Sequence, residues 1–305
     1  MMLKKFRGAL LGFAIGDALG MPAEGLKLDE VRKMFGRIDD FLDSPLGDLK
    51  AGEWTDDTEQ MLILAESLLS KRYLDPADLS RRLLNLKSNR IGWTTRRALE
   101  KLKLGAHWFE AGVESDSCGA SLRVLPISLV YSFNLDLVEK YAMISASVTH
   151  RGSSAVGAIA YALAVACVVN NFSHDETIEE VIGRVRRYDE LLADKISLAY
   201  DLVGEDVETV VDRIGNSISI YDCIPLAFNI FLSTESFKDC AVKSANVGGD
   251  SDSICAMACG LKGCELGVDA IPKGWIVRLK DHEYIVEIAD RLYDLRLIVE
   301  SGGEI

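Results

Sequence analysis

The chain has 305 residues, of which 49% are apolar and 27% are charged, a composition typical of globular proteins with a sizeable core. Its formal net charge of −13 repels nucleic-acid phosphates and anionic membrane surfaces, so neither is expected as a partner. No apolar run reaches the roughly 18 residues that span a membrane. We therefore predict a soluble, cytoplasmic protein.

The start of the chain imitates a secretory signal, because Lys4, Lys5 and Arg7 precede an apolar stretch. Asp17 interrupts that stretch and Glu24 follows it closely, which argues against a signal. The same stretch spaces glycines four residues apart, at positions 8, 12, 16 and 20, and so places them on one helix face. We expect this face to admit a closely packed helix or loop, with direct ligand contact as the alternative.

Apolar residues at helical spacing recur along most of the chain, beginning with Met61, Leu64 and Leu68. Helices are predicted from near residue 58 onward and over 120–133, 136–148, 154–169, 176–186, 189–202, 222–232, 236–246 and 253–267. No series of alternating segments indicates strands, so the predicted fold class is all-α. Residues 27–52 and 105–117 are expected to be loops of a length that often covers a site. No proline-rich linker divides the chain, so residues 1–305 are predicted to form one domain.

A first acidic segment, formed by Thr55, Asp56 and Asp57, lies directly before the helix that is predicted from near residue 58. One interpretation is an N-terminal helix cap in which Asp56 pairs with Glu59, or Asp57 with Gln60. A cap needs a single acceptor, whereas a hydroxyl and two carboxylates stand here in succession. A divalent cation would neutralise such crowded negative charge.

A second acidic segment, some two hundred residues later, precedes another apolar helix and comprises Gly248, Gly249, Asp250, Ser251, Asp252 and Ser253. Its Asp-x-Asp pattern is typical of the start of a calcium loop, but Ala256 and Leu261 occupy the places of the required Gly and Glu. The twin glycines indicate a sharp bend or a close approach of a ligand.

The two segments together could converge on the same cations with four carboxylates and two hydroxyls. Such oxygen ligands suit Mg²⁺ or Mn²⁺ rather than zinc. The seven cysteines, at positions 118, 167, 223, 240, 255, 259 and 264, lack the paired spacing of a zinc site. They are predicted to be reduced core residues.

Taken with these segments, several stretches of the chain resemble the ADP-ribosylglycohydrolase family. They are residues 6–20 leading to Glu24, 54–58, 119–126, 149–150, 248–253 and 270–275. The resemblance covers nearly the whole chain. It implies a compact orthogonal bundle of many helices around a central two-metal cleft. It also implies hydrolysis of the N- or O-glycosidic bond that joins ADP-ribose to a protein side chain or a small molecule.

The resemblance further implies roles for individual residues. The implied ligands of two Mg²⁺ or Mn²⁺ ions are Thr55, Asp56, Asp57, Asp250, Asp252 and Ser253. Asp252 is the best candidate to bridge the ions, and Glu24, Asp57 and Asp252 form the implied catalytic group. If the resemblance is set aside, Glu24 is equally well interpreted as an exposed turn residue after Pro22.

The substrate's pyrophosphate is expected to be held by backbone N–H groups at helix starts and glycine turns. The candidates are Gly119, Ser121, Gly248 and Gly249. Arg123 could add a charge-assisted bond to phosphate, or instead pack its stem and form an ion pair. His150 is either a structural hydrogen-bond partner or, as the resemblance implies, a residue that lines the substrate cleft.

The chain departs from many family members at three positions. Ser253 replaces a threonine but keeps its hydroxyl oxygen, and Cys118 replaces an asparagine amide. Arg90 stands where an acidic residue is frequent, which argues against arginine-linked substrates if that acid recognises guanidinium. The expected partner is an ADP-ribosylated protein or an ADP-ribose-containing small molecule. The alternatives are an ADP-ribose-binding protein and a crystallin-like structural protein, both without catalysis.

Overall fold

The computed structural model describes residues 1–302, and these residues form eighteen α-helices and two short strands. The helices are α1 (Met2–Gly20), α2 (Leu28–Phe35), α3 (Asp56–Lys71), α4 (Pro76–Leu83), α5 (Trp93–Lys103), α6 (Trp108–Ala111), α7 (Gly119–Arg123), α8 (Leu125–Val130), α9 (Leu135–Ser147), α10 (Ser153–Val169), α11 (His174–Val185), α12 (Glu190–Asp201), α13 (Val207–Ile214), α14 (Ile220–Leu232), α15 (Phe237–Ala245), α16 (Ser251–Leu266), α17 (Lys273–Arg278) and α18 (His282–Glu300). Strands β1 (Val113–Glu114) and β2 (His150–Arg151) pair in parallel. The predicted all-α class is confirmed.

The core is built around α10, whose side chains are buried on every face from residue 154 to residue 169. A helix that is apolar all round is stable only when other helices enclose it. Here α7, α8, α9, α11, α14 and α16 pack against it. Among residues 1–302, no helix is long and apolar enough to cross a membrane.

The glycine stripe of α1 packs directly against α16, as expected for a closely packed helix pair. A Cβ atom added to Gly8, Gly12, Gly16 or Gly20 would lie only 2.1 to 2.4 Å from a backbone oxygen of α16. Only a hydrogen atom fits between the two backbones at these positions. Because Gly8 faces Gly263 and Gly20 faces Ser251, the helices run antiparallel and the end of α1 lies beside the start of α16.

Several predicted boundaries were wrong. The single helix predicted over 120–133 is two helices, because Pro126 lacks an N–H and fits only in the first turn of α8. The predicted loop over 27–52 contains α2, an eight-residue helix whose short apolar stripe of Leu28, Val31 and Phe35 fully buries only Val31. The predicted loop over 105–117 contains α6 and β1. Helices α4, α5, α13, α17 and α18 were also missed, although the apolar stripe of α18 is present in the sequence.

Candidate metal centre

The N-termini of α3 and α16 meet at the end of α1. Thr55 is the N-cap of α3, and its Oγ1 accepts the backbone N–H of Asp57 at 3.3 Å. The cap is therefore Thr55 rather than either predicted carboxylate pair. Ser253, in the first turn of α16, donates its hydroxyl hydrogen to Oδ2 of Asp57 at 3.0 Å. This bond joins the two acidic segments directly, although their residues are 196 positions apart.

Asp17 of α1 holds the start of α3 in place, a role that sequence reasoning missed. Its carboxylate is fully buried and accepts the backbone N–H groups of Thr55 and Thr58, each at 3.1 Å. The Thr58 hydroxyl donates a further bond of 2.6 Å to it. Burial raises the pKa of Asp17 to about 6. The sequence signal for this role is a lone charge inside an apolar helix.

The acidic side chains of both segments repel one another in a buried setting. Asp56, Asp57 and Asp252 are buried, and Asp250 is half-buried. Burial, with repulsion from Asp17, raises the pKa of Asp56 to about 7. Burial also raises the pKa of Asp57 and that of Asp252 well above the ordinary range, with added repulsion from neighbouring carboxylates. This cluster is therefore poorly stabilised as a set of free anions.

The donor set fits hard divalent cations. The predicted ligands Thr55, Asp56, Asp57, Asp250, Asp252 and Ser253 offer only oxygen atoms, which Mg²⁺ and Mn²⁺ prefer. Within residues 1–302, none of the four carboxylates forms an ion pair with Lys or Arg. Hydrogen bonds from Gln60 to Asp56 and from Ser253 to Asp57 leave most of this negative charge without compensation. Bound cations would supply the missing positive charge.

A cleft of about 440 Å³ opens above the carboxylates, which is within the range of small-molecule sites. Its floor is Asp56, Asp57, Asp250, Asp252 and Ser253. The walls come from residues 114–119 and His150, and the mouth carries the exposed side chains of Trp93 and Ile218. A second cavity of about 560 Å³ shares Arg90 with this cleft.

Glu24 lies at the rim of the cleft and is held there by Arg90. One guanidinium nitrogen of Arg90 donates to Oε2 of Glu24 at 2.5 Å. Two others form a bidentate pair with the carboxylate of Asp48, each at 2.8 Å. Arg90 thus engages both acidic side chains of this rim.

His150 and Gly119 lie together in the cleft wall. The imidazole of His150 is buried, and its Nδ1 is 2.8 Å from Oγ1 of Thr149. Burial, with the positive charge of Arg123 nearby, lowers the pKa of His150 well below its ordinary value, so the ring is neutral. A Cβ on Gly119 would come within 3.1 Å of Nε2 of His150, so a glycine keeps the ring accessible.

Arg123 and Ser121, which the sequence offered as substrate contacts, both have fully buried side chains and do not line the cleft. Arg123 donates to Gln60, to the backbone oxygens of Ser145 and Ala146, and to Thr149. The backbone N–H of Ser121 is bonded to the oxygen of Cys118 at 2.7 Å. Neither residue therefore presents a hydrogen-bond donor to a phosphate in the cleft.

Gly248 and Gly249 also lie outside the cleft lining and serve the bend before α16. Both have φ near +65°, a conformation that residues with a side chain rarely adopt. The N–H of Gly249 donates to the oxygen of Leu26 at 2.7 Å, so it is not free for an anion. Of the two interpretations made from the sequence, the structure supports the sharp bend rather than contact with a ligand.

Comparisons with known sequences and structures match this chain over nearly its whole length. A sequence model of the ADP-ribosylglycohydrolase family matches residues 2–300. An uncharacterized protein of Archaeoglobus fulgidus is 50% identical over 97% of this chain and 98% of its own length. The ADP-ribosylarginine hydrolase Tri1 of Serratia proteamaculans is 29% identical over 95% of this chain and 79% of its own. A solved structure, titled ADP-ribosylglycohydrolase-related protein complex, superposes with a TM-score of 0.76 at 27% identity. It covers 97% of this chain and 99% of its own.

Proposed function

The chain belongs to the ADP-ribosylglycohydrolase family, and on that premise we propose that it is a binuclear Mg²⁺- or Mn²⁺-dependent ADP-ribosyl glycohydrolase. It would cleave the glycosidic bond between ADP-ribose and a protein side chain or small-molecule acceptor. The observation that carries the proposal is the 3.0 Å bond from Ser253 to Asp57, which joins the two sets of oxygen ligands in one cluster at the cleft floor.

In the proposed mechanism Thr55, Asp56, Asp57, Asp250, Asp252 and Ser253 would hold the ions. When bound, they would supply Lewis-acid polarisation of a water and a grip on the ribose hydroxyls. Asp17 orients the start of α3 and so fixes the ligand oxygens of Thr55 and its neighbours. Glu24, at the rim, uses the oxygen that Arg90 does not bind to accept a hydrogen bond from water or a ribose hydroxyl.

A hydrogen-bonded chain orients His150 as a neutral donor. Arg123 donates to Oγ1 of Thr149 at 2.6 Å, so the Thr149 hydroxyl hydrogen is free to point at Nδ1 of His150. That arrangement assigns the ring hydrogen to Nε2, beside Gly119 in the cleft wall. His150 would then donate to an oxygen of the substrate, and Arg123 contributes only through Thr149.

The rim favours acceptors other than arginine. Glu24 and Asp48 both accept hydrogen bonds from Arg90, so a substrate guanidinium would have to displace Arg90 to bind either one. An acceptor that carries no positive charge, such as a serine side chain or an acetyl ester, meets no such competition. We therefore propose O-linked ADP-ribose as the preferred substrate class.

The test is to incubate the purified chain with ADP-ribosyl-serine peptide, O-acetyl-ADP-ribose and ADP-ribosyl-arginine peptide, and to measure free ADP-ribose by chromatography. We expect release from the O-linked substrates with Mg²⁺ or Mn²⁺ and none with EDTA. Faster release from the arginine peptide would contradict the proposed acceptor class. No release from any substrate by metal-loaded protein would overturn the hydrolase and favour the ADP-ribose-binding alternative.

A further inference from the structure

Three side chains from distant parts of the chain meet beside the cleft, and two of them, those of Cys118 and Asp250, belong to its lining. The sulfur atoms of Cys118 and Cys223 and a carboxylate oxygen of Asp250 all lie within 4.8 Å of one another. Sγ of Cys118 is 3.0 Å from Oδ2 of Asp250. Both cysteines are buried, and none of the spacings between the three residues follows a zinc-binding sequence pattern.

We propose that Cys118, Cys223 and Asp250 form a binding site for one thiophilic divalent cation, such as Zn²⁺ or Cd²⁺. This site is distinct from the pair of hard cations and shares only Asp250 with them. Two thiolates and one carboxylate form a set that soft and borderline cations prefer and that Mg²⁺ does not. The two thiols release their protons to solvent when the cation binds.

The geometry suits a four-coordinate ion. Ligand atoms around tetrahedral zinc lie about 3.5–3.8 Å apart. No pair of the three ligand atoms therefore needs to change its separation by more than about 1 Å, and the 3.0 Å pair of Cys118 and Asp250 moves apart. Cys118 and Asp250 both line the cleft, which leaves a fourth position for water from the cleft side. Three protein ligands with one open position are typical of accessible zinc sites.

Backbone hydrogen bonds hold the three ligand-bearing segments together before any cation binds. The N–H of Cys118 donates to the oxygen of Ile218 at 2.9 Å, and a neighbouring bridge pairs Ser117 with Ser219. The N–H of Asp250 donates to the oxygen of Asn216 at 2.8 Å. Because residues 216–219 contact both other segments and lead into α14, which carries Cys223, the site is preorganised.

The site has a consequence for hydrolysis that rests on the proposed function. A cation held by the thiols would draw the Asp250 carboxylate away from the hard-cation centre. Zinc at low concentration should therefore inhibit the Mg²⁺-dependent reaction. A variant that lacks the thiols of Cys118 and Cys223 should resist this inhibition. Binding itself is measurable without any substrate, so failure of the proposed function and failure of this site are distinguishable.

The experiment is a Cd²⁺ titration of the intact, metal-stripped chain in excess Mg²⁺ with a phosphine reductant. The readouts are ultraviolet thiolate-to-cadmium charge-transfer absorption and bound Cd²⁺ per chain. We expect one Cd²⁺ per chain with a charge-transfer band that excess Mg²⁺ does not remove. Cys118→Ala and Cys223→Ala should each weaken Cd²⁺ binding at least tenfold and reduce the band.

Cys167→Ala is the matched control, because Cys167 is equally buried but lies outside the cluster. It should leave both readouts unchanged, and Cys118→Ser and Cys223→Ser provide second variants should an alanine variant fail to fold. Absence of a charge-transfer band in the wild type would overturn the site. So would a band of full strength in folded variants at both Cys118 and Cys223.

Discussion

Replacing Asp56 with asparagine should stabilise the metal-free chain, although it removes a proposed metal ligand. Asp56 is buried at the start of α3, and its Oδ2 accepts a hydrogen bond from Gln60 at 3.0 Å. Asparagine has nearly the same shape and keeps an oxygen that can accept this bond. The main change in Asp56→Asn is therefore the loss of a negative charge that burial disfavours and neighbouring carboxylates repel.

The magnitude follows from the pKa of Asp56. A pKa of about 7 in the folded chain, against an ordinary value of 3.8, corresponds to ~4 kcal/mol of disfavoured ionisation. Because the folded pKa is the higher one, this carboxyl favours folding below pH 3.8 and loses that contribution as the pH rises through 7. After relaxation of neighbouring charges, we expect Asp56→Asn to gain ~2–4 kcal/mol at pH 8.

The assay is thermal and urea unfolding of the wild type and of Asp56→Asn in EDTA between pH 5 and pH 8. The variant's advantage should grow with pH and reach roughly 4–8 °C in melting temperature. Saturating Mg²⁺ should stabilise the wild type more than the variant. Asp78→Asn is a control of opposite sign, because Asp78 is paired with Arg82 at 2.6 Å. A variant less stable than the wild type at pH 8 in EDTA would contradict an unfavourable buried charge at Asp56.

Three further variants test the packing, the buried hydrogen-bond chain and the rim. Gly16→Ala should destabilise the chain by ~3 kcal/mol or more in urea unfolding, because its Cβ would lie 2.3 Å from the oxygen of Cys255. The control is Gly183→Ala at an exposed helix position, which should stabilise the chain by ~0.5–1 kcal/mol. Equal effects of the two would contradict the tight helix pair. Arg123→Met should lose ~2–4 kcal/mol in the same assay, and a loss below ~1 kcal/mol would refute its bonding role. Arg90→Ala should raise hydrolysis of ADP-ribosyl-arginine relative to ADP-ribosyl-serine by roughly tenfold, equivalent to ~1.4 kcal/mol; an unchanged ratio would refute the rim argument.

Local patterns in the sequence predicted the parts of the site that depend on local rules. Glycines four residues apart must share a helix face, so close packing of α1 was predictable. The identity of the partner was not, because only the tertiary structure pairs Gly20 with Ser251. Likewise, oxygen-rich helix starts were visible at Thr55 and Asp250, whereas their meeting depends on long-range packing.

Single buried polar residues were harder to interpret. Arg123 follows helical spacing in a way that also suits a surface position, and its burial depends on acceptors at the end of α9. Asp17 is conspicuous in an apolar stretch, but its partners Thr55 and Thr58 come from another helix. The contact between Cys118 and Cys223 has no sequence signature, because segments far apart in the chain bring the thiols together.

The number of Mn²⁺ ions bound per chain at equilibrium, measured from the electron paramagnetic resonance signal of free Mn²⁺, tests the binuclear centre most simply. Such a centre predicts two ions in the wild type and in Asp78→Asn. It predicts at most one in Asp57→Asn and in Asp252→Asn, with helical circular dichroism unchanged. Fewer than two ions in the wild type, or two ions in both Asp57→Asn and Asp252→Asn, would contradict a binuclear centre formed by the two acidic segments.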